Sequence, residues 1–130
     1  MGYRSDVLIR VNTHPPEKFK EIYLKLMLVQ PPWIKEIEEL RRHFQEFTFD
    51  GSELLIYLNS WKWYDSYEDV GSCNTAIEYF EKLAQDMSGE EDFSINTCFL
   101  RLGEDIADIE ERYENDGWDL GRVTRDIEIQ

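Results

Sequence analysis

The chain has 130 residues, 42% of them hydrophobic and 14% aromatic, and its formal net charge at pH 7 is −14. This length predicts a single domain over residues 1–130, and the apolar content excludes a globally disordered chain. The excess of acid makes nucleic acid and anionic membranes poor direct partners, because phosphate binding requires a surplus of lysine and arginine.

The N-terminus and the cysteines bear on the compartment. Residues 1–6 lead into a short apolar run that cannot form a signal-sequence core or a membrane span. We therefore expect a soluble, cytoplasmic protein. Cys73 and Cys98 fit no metal-binding spacing, and in that compartment they are expected to be free, half-buried thiols rather than a disulfide.

Strand and helix patterns alternate along the first third of the chain. Residues 3–11 alternate between two faces, which predicts a strand, and Pro15-Pro16 marks the start of a helix. Apolar side chains at helical spacing follow, and Pro31-Pro32 ends this helix. They are Phe19, Ile22, Tyr23, Leu26 and Met27. A second, shorter helix is predicted to begin near Trp33.

Asp50-Gly51 is the strongest local signal, because this pair suits a type I′ turn between strands at residues 45–49 and 53–58. A two-residue turn there places Phe47 opposite Leu54. The second strand is apolar on both faces, with Leu54, Ile56 and Leu58 on one and Leu55, Tyr57, Trp61 and Trp63 on the other. Such a strand is either covered on both sides or presents an aromatic face to a partner.

A third helix is predicted after the polar connector 65–70. Thr75 and Glu78 form a capping box, Thr-x-x-Glu, which indicates a helix start. Apolar residues at helical spacing follow, namely Ala76, Ile77, Phe80, Leu83, Ala84 and Met87. Ser88-Gly89 then supplies a helix end.

The C-terminal part is predicted to be mainly strands. Residues 93–102 have a strand pattern and residues 103–105 form a turn. Residues 106–114 fit a returning strand or a helix, and the strand is favoured; residues 123–129 form a short final strand. The predicted fold class is α+β, with a mainly antiparallel sheet and two to three amphipathic helices packed on one face.

Negative charge is concentrated in residues 86–119, which hold twelve carboxylates and two cations. Residues 1–44 carry a net charge of +2, whereas residues 45–130 carry −16. Apolar and aromatic side chains run through the acidic segment, unlike in a disordered acidic tail. We therefore expect its carboxylates to form an ordered surface.

An ordered row of carboxylates can imitate nucleic-acid phosphates, because neighbouring side chains on helices and strands stand about 5–6 Å apart. Such a surface would compete for a groove lined with lysine and arginine in a basic partner. The expected partner-binding residues are Glu104, Asp105, Asp108, Glu110, Glu111, Glu114, Asp116 and Asp119, with Trp61, Trp63 and Trp118 as anchors. The alternative arrangement is a homodimer through the second sheet face.

Catalytic and metal chemistry are poorly supported by the sequence. His14 and His43 lie in no recognisable catalytic motif, and no glycine-rich phosphate loop is present. The Asn115-Asp116-Gly117 turn lacks the acidic ladder and the bidentate glutamate of a calcium-binding loop. We therefore predict neither an enzyme nor a bound metal or cofactor.

Aromatic residues between positions 57 and 67 have two interpretations. They are Tyr57, Trp61, Trp63, Tyr64 and Tyr67. They anchor an interface or stack on nucleobases, or they simply cover the sheet. Lys62, with Arg4, Arg41 and Arg42, could form a pocket for an anionic nucleotide. The alternative function is therefore a small-ligand-binding module, such as a sponge for a cyclic nucleotide defence signal.

Three segments, 1–7, 61–70 and 99–110, read MGYRSDV, WKWYDSYEDV and FLRLGEDIADIE. They resemble a group of small acidic proteins encoded by tailed phages and prophages. The resemblance implies an accessory phage protein that acts in the cytoplasm of a bacterial host. It favours an anti-CRISPR-like inhibitor that binds a basic host protein, such as a CRISPR effector or another nucleic-acid-binding enzyme.

Overall fold

The computed structural model describes residues 3–64, 67–87, 93–105, 107–123 and 126–130. In these ranges the chain forms seven strands, three α-helices and two short 3₁₀ helices. The elements in chain order are β1 (Ser5–His14), α1 (Glu17–Val29), α2 (Pro32–Leu40), a first 3₁₀ helix (Arg41–His43), β2 (Glu46–Phe49), β3 (Leu54–Trp61), α3 (Glu68–Asp86), β4 (Ser94–Gly103), β5 (Ile109–Glu114), a second 3₁₀ helix (Asn115–Asp119), β6 (Gly121–Val123) and β7 (Ile127–Ile129).

Strands β1 to β5 form one antiparallel sheet in the order β2-β3-β1-β4-β5. The first strand of the chain is central, and it pairs with β4 along its whole length, from Ser5 opposite Gly103 to His14 opposite Ser94. The α+β class with a mainly antiparallel sheet is therefore confirmed. The strand favoured for residues 106–114 is also confirmed as β5, while Ile106 lies outside the described residues.

The three helices pack on one face of the sheet and form the main core with it. Phe19 of α1 stacks on Phe80 of α3 with ring centroids 5.8 Å apart, and Trp33 of α2 lies 6.3 Å from the same Phe80 ring. These aromatic contacts join all three helices above the odd-numbered side chains of β1 and β4. Among the described helices, none is long and apolar enough to cross a membrane.

Part of the second sheet face is covered by a hairpin of β6 and β7, which pair in a separate two-stranded sheet. Leu8, Cys98 and Leu100 lie beneath Leu120 and Ile127 and are fully buried. The prediction of one final strand was therefore wrong, because β6 and β7 are two strands that pair antiparallel, with Val123 opposite Ile127. This hairpin occupies part of the face that the sequence left free for a partner or a second copy.

Arg10 holds the hairpin to the sheet. Its guanidinium donates to the backbone carbonyls of Leu120 and Gln130 at 3.2 and 3.0 Å, and to Glu53 at 2.7 Å. The charge is thus matched by a carboxylate, and two carbonyls at the ends of the hairpin are satisfied.

Helix α3 begins seven residues before the predicted capping box. Thr75 lies inside the helix, and its hydroxyl donates to the carbonyl of Gly71 at 2.8 Å instead of capping a helix start. The helix extends backwards because Val70 and Cys73 continue the buried stripe of Ala76. The predicted end at Ser88-Gly89 lies outside the described residues. Both cysteines are free, as expected, but fully buried rather than half-buried.

The β2–β3 turn is longer than predicted. Phe47 pairs with Ile56 and Phe49 with Leu54, so four residues rather than two connect the strands. The Asp50 carboxylate organises this loop by accepting the backbone N–H of Ser52 at 2.8 Å and of Glu53 at 3.4 Å. A shift of two residues leaves every side chain on its predicted face, because the strand period is two.

Trp61 and Trp63 lie on the helix side of the sheet, not with Leu55 on the second face as the sequence predicted. The β1–β3 register shifts between Ser5 and Val7, and Ser60 has a positive φ of 55°. An extra residue in one strand reverses the side-chain alternation beyond it. The irregularity therefore turns the end of β3 towards the main core.

Candidate functional site

The predicted acidic surface is divided between the two faces of edge strand β5. Glu110 and Glu114 point to the helix side, where Glu114 accepts from the Gln85 amide at 2.8 Å. Glu111 alternates to the second face, near the Tyr113 hydroxyl at 3.4 Å. The strand therefore does not present these carboxylates as one row.

Two of the predicted partner-binding carboxylates are held by arginines of the same chain. Asp108 accepts two hydrogen bonds from Arg101, at 2.7 and 3.0 Å, and one from the Tyr3 hydroxyl at 2.7 Å. Glu110 lies between Arg101 at 3.4 Å and Arg112 at 2.8 Å. Much of their charge is thus matched inside the chain.

The hydrogen bonds from Arg101, then that from Tyr3, lower the pKa of Asp108 to about 2, from an ordinary value of 3.8. A carboxylate whose pKa is lowered by folding stabilises the fold above its unfolded pKa, and the contribution disappears as the pH falls through the folded pKa. We expect Asp108→Asn to be less stable than wild type at neutral pH, with the difference vanishing between about pH 4 and pH 2.

Denaturant unfolding of both proteins across this range measures the difference. The control is the same substitution in an Arg101→Gln background, where the pH dependence should shrink because its main cause is gone. A stability difference that is independent of pH, or whose pH dependence is undiminished in that background, would contradict the assignment.

The remaining residues of the 104–119 region lie on two turns. Glu104 accepts the backbone N–H of Arg4 at 2.9 Å, and Asp105 accepts that of Ala107 at 3.0 Å. Asp116, Trp118 and Asp119 lie on the second 3₁₀ helix, and 62% of the Trp118 surface is exposed. Trp118 is thus the most accessible of the three predicted anchors.

Trp61 and Trp63 are half-buried and pack against the main core. Trp63 lies 6.1 Å from the Phe99 ring and lines a 300 Å³ cavity with Glu110 and Arg112. Trp61 donates its indole N–H to Asp69 at 2.7 Å. Both tryptophans therefore have a structural role. The partner of Trp61, Asp69, also lines a second acidic surface.

That surface is an open groove between α2 and the start of α3, with a volume of about 560 Å³. Among the described residues that line it, four are carboxylates and none is a cation. The lining residues are Glu36, Glu39, Leu40, Tyr67, Glu68, Asp69 and Ser72. We call it the α2–α3 groove.

Local sequence explains the two walls of the groove. Ile34 and Ile37 face the core, so Glu36 and Glu39 lie on the exposed side of α2. The other wall is the first turn of α3, where the positive end of the helix dipole favours acidic side chains. The Ser72 hydroxyl joins the walls, because it contacts the Glu36 carboxylate as well as the Glu68 carbonyl.

The groove has the chemistry of a site for basic side chains. Tyr67 is 45% exposed at its edge and offers an aromatic face for cation–π contact. The carboxylates beside it would pair with a lysine or arginine of a partner. Sequence reasoning missed this site because it placed the start of α3 at Thr75. A correct start would have put Glu68 and Asp69 in the first turn of the helix.

The cations considered for a nucleotide pocket lie in different surroundings. Arg4 donates to the Ser60 carbonyl at 2.8 Å and lines a 160 Å³ cavity with Asp6 and Glu104. Arg41 instead pairs with Glu38 and lies over the Phe47 ring. Within the described ranges, no group of three or more histidine, cysteine or acidic side chains is arranged to hold a metal ion.

No protein-family model, curated protein or solved structure matches the chain.

Proposed function

We propose that this chain is a phage-encoded inhibitor that binds a basic surface of a host defence or nucleic-acid-handling protein. The α2–α3 groove carries the proposal, because four carboxylates line it without a described cation. The net charge of −14 adds long-range attraction for a basic partner. A CRISPR effector is the favoured partner, since its nucleic-acid channel offers the lysines and arginines that such a groove would bind.

The phage origin rests on the three segments that resemble small phage and prophage proteins. One of them, residues 61–70, supplies Tyr67, Glu68 and Asp69 to the lining of the α2–α3 groove. A segment that carries the resemblance thus also lines the groove, which supports a role of the groove in binding the host protein.

The groove and the 104–119 region are separable by charge reversal. We expect Glu39→Lys combined with Glu68→Lys to weaken binding of an arginine-rich peptide about tenfold or more. Each substitution replaces a carboxylate that attracts the arginines of the peptide with a cation that repels them. Asp116→Lys combined with Asp119→Lys is the matched control, with the same change in net charge on an exposed turn. Fluorescence anisotropy at low and high salt measures both, and equal losses would contradict a specific role of the groove.

Inhibition is tested in bacteria that carry CRISPR systems of different types and reject a targeted plasmid. Expression of the wild-type chain should restore transformation with one of these systems, and the groove variant should not. If transformation is never restored while a nucleotide strongly raises the melting temperature, the cyclic-nucleotide sponge becomes the better function.

A further inference from the structure

The outward face of α1 carries three exposed apolar side chains. Leu24, Leu28 and Val29 are 51%, 86% and 76% exposed. Leu24 and Leu28 are one helical turn apart and point away from the buried Phe19 and Leu26. Single exposed leucines are common, but a contiguous group on one helix marks an interaction surface.

The apolar surface continues past the end of the helix. A cavity of about 430 Å³ is lined by Met27, Gln30, Pro31, Pro32, Ile34 and Lys35. Its lining residues Met27 and Gln30 flank Leu28 and Val29 in the sequence, so the recess lies at the C-terminal end of α1. A protruding leucine next to an apolar recess is a self-complementary shape, because the leucine of each copy can enter the recess of the other.

Charge identifies the occupant of this face. A chain with a net charge of −14 repels its own copies over most of its surface. Helix α1 differs, because its charges nearly balance, with Lys18, Lys20 and Lys25 against Glu17 and Glu21. A basic partner gains no attraction from a balanced face, whereas a second copy meets the least repulsion at it.

We propose that the outward face of α1 is a homodimer interface, in which two copies pack α1 against α1 in antiparallel orientation about a two-fold axis. Leu28 of each copy lies over Leu24 and the Pro31-Pro32 recess of the other. The glutamates near the start of one helix then lie towards Lys35 of the other copy. The α2–α3 groove takes no part in this contact, so its binding function and the dimer can fail independently.

Sedimentation or light scattering measures the mass across about a hundredfold range of concentration. The wild type should rise from 15.6 kDa towards twice that mass. High salt should strengthen the dimer by screening the repulsion between copies, although it weakens binding of a basic peptide. A wild type that stays monomeric over the whole range, in high salt as well, overturns the proposal.

Leu28→Glu should remain monomeric at every concentration. The side chain is 86% exposed, so the substitution should leave the circular dichroism spectrum and melting of the monomer unchanged. Ile109→Glu, on β5 at a site 44% exposed, is the control that adds the same charge and should still dimerise. Dimerisation of Leu28→Glu, or its loss in Ile109→Glu alone, contradicts the α1 interface.

A second readout uses the thiols. Cys73 and Cys98 are buried, so Leu28→Cys would place an accessible thiol at the proposed interface. Mild oxidation should link two copies of this variant much faster than two copies of Ile109→Cys. Equal rates of cross-linking would mean random collision and would overturn the proposal.

Discussion

Replacing Gly117 with alanine is expected to lower the free energy of unfolding by about 3 kcal/mol, at the upper end of overpacking costs. A Cβ atom at this position would overlap the carbonyl oxygen of Thr97 and lie 2.6 Å from its carbonyl carbon. Both are backbone atoms of β4 and cannot rotate away. The second 3₁₀ helix must then lift from the strand.

Lifting it also breaks two hydrogen bonds. The Asn115 amide donates to the Ile95 carbonyl at 2.7 Å, and the Asp116 N–H donates to Asn96 at 3.2 Å. Gly71→Ala is the matched control, because a Cβ at Gly71 would meet nothing within 4 Å and the residue lies inside α3. It should raise stability by about 0.5–1 kcal/mol, and equal losses in the two variants would contradict the close contact at Gly117.

Replacing Leu8 with alanine is also expected to cost about 3 kcal/mol, although Leu8 points away from the helices. Leu8 is 0% exposed beneath the β6–β7 hairpin, where it packs with Cys98 and Leu120. The substitution leaves a cavity between the sheet and the hairpin. Ile109→Ala, at a site 44% exposed, should cost under about 1 kcal/mol.

The rate at which thiol reagents label Cys98 is a second measure of the Leu8→Ala effect. Burial, as the main cause, raises the pKa of this thiol to about 12, so it should resist thiol reagents in the wild type. A Cys73→Ser background isolates it. Leu8→Ala should speed its labelling because the hairpin opens more often. Unchanged labelling together with unchanged stability would show that the hairpin is peripheral to the core.

Periodic apolar patterns were sufficient to predict most of the fold. Helix α1, strands β1 and β4 and the choice of a strand for β5 follow from spacing that local sequence displays directly. The start of α3 could not be placed, because Thr75 and Glu78 imitate a capping box inside a helix. The length of the β2–β3 loop could not be predicted, because the Asp50 side chain stabilises a longer turn than the Asp50-Gly51 pair indicates.

The candidate site was harder to predict than the fold. Glu36 and Glu68 are distant in sequence and meet only because α2 packs against α3. Conversely, Asp108 and Glu110 looked free in the sequence, but Arg101 reaches both across the β4–β5 pair. Net charge therefore indicated the kind of partner, while tertiary contacts decided which carboxylates remain available to it.

The central position of β1 has a consequence for synthesis and folding. During synthesis β1 leaves the ribosome before β4, and it cannot complete its pairing until β4, beginning at Ser94, has also emerged. Until then, the apolar residues Val7, Leu8 and Ile9, which are fully buried in the folded protein, lack the sheet that buries them. Contacts of such large sequence separation slow folding, so the nascent chain is most open to aggregation or chaperone binding before β4 arrives.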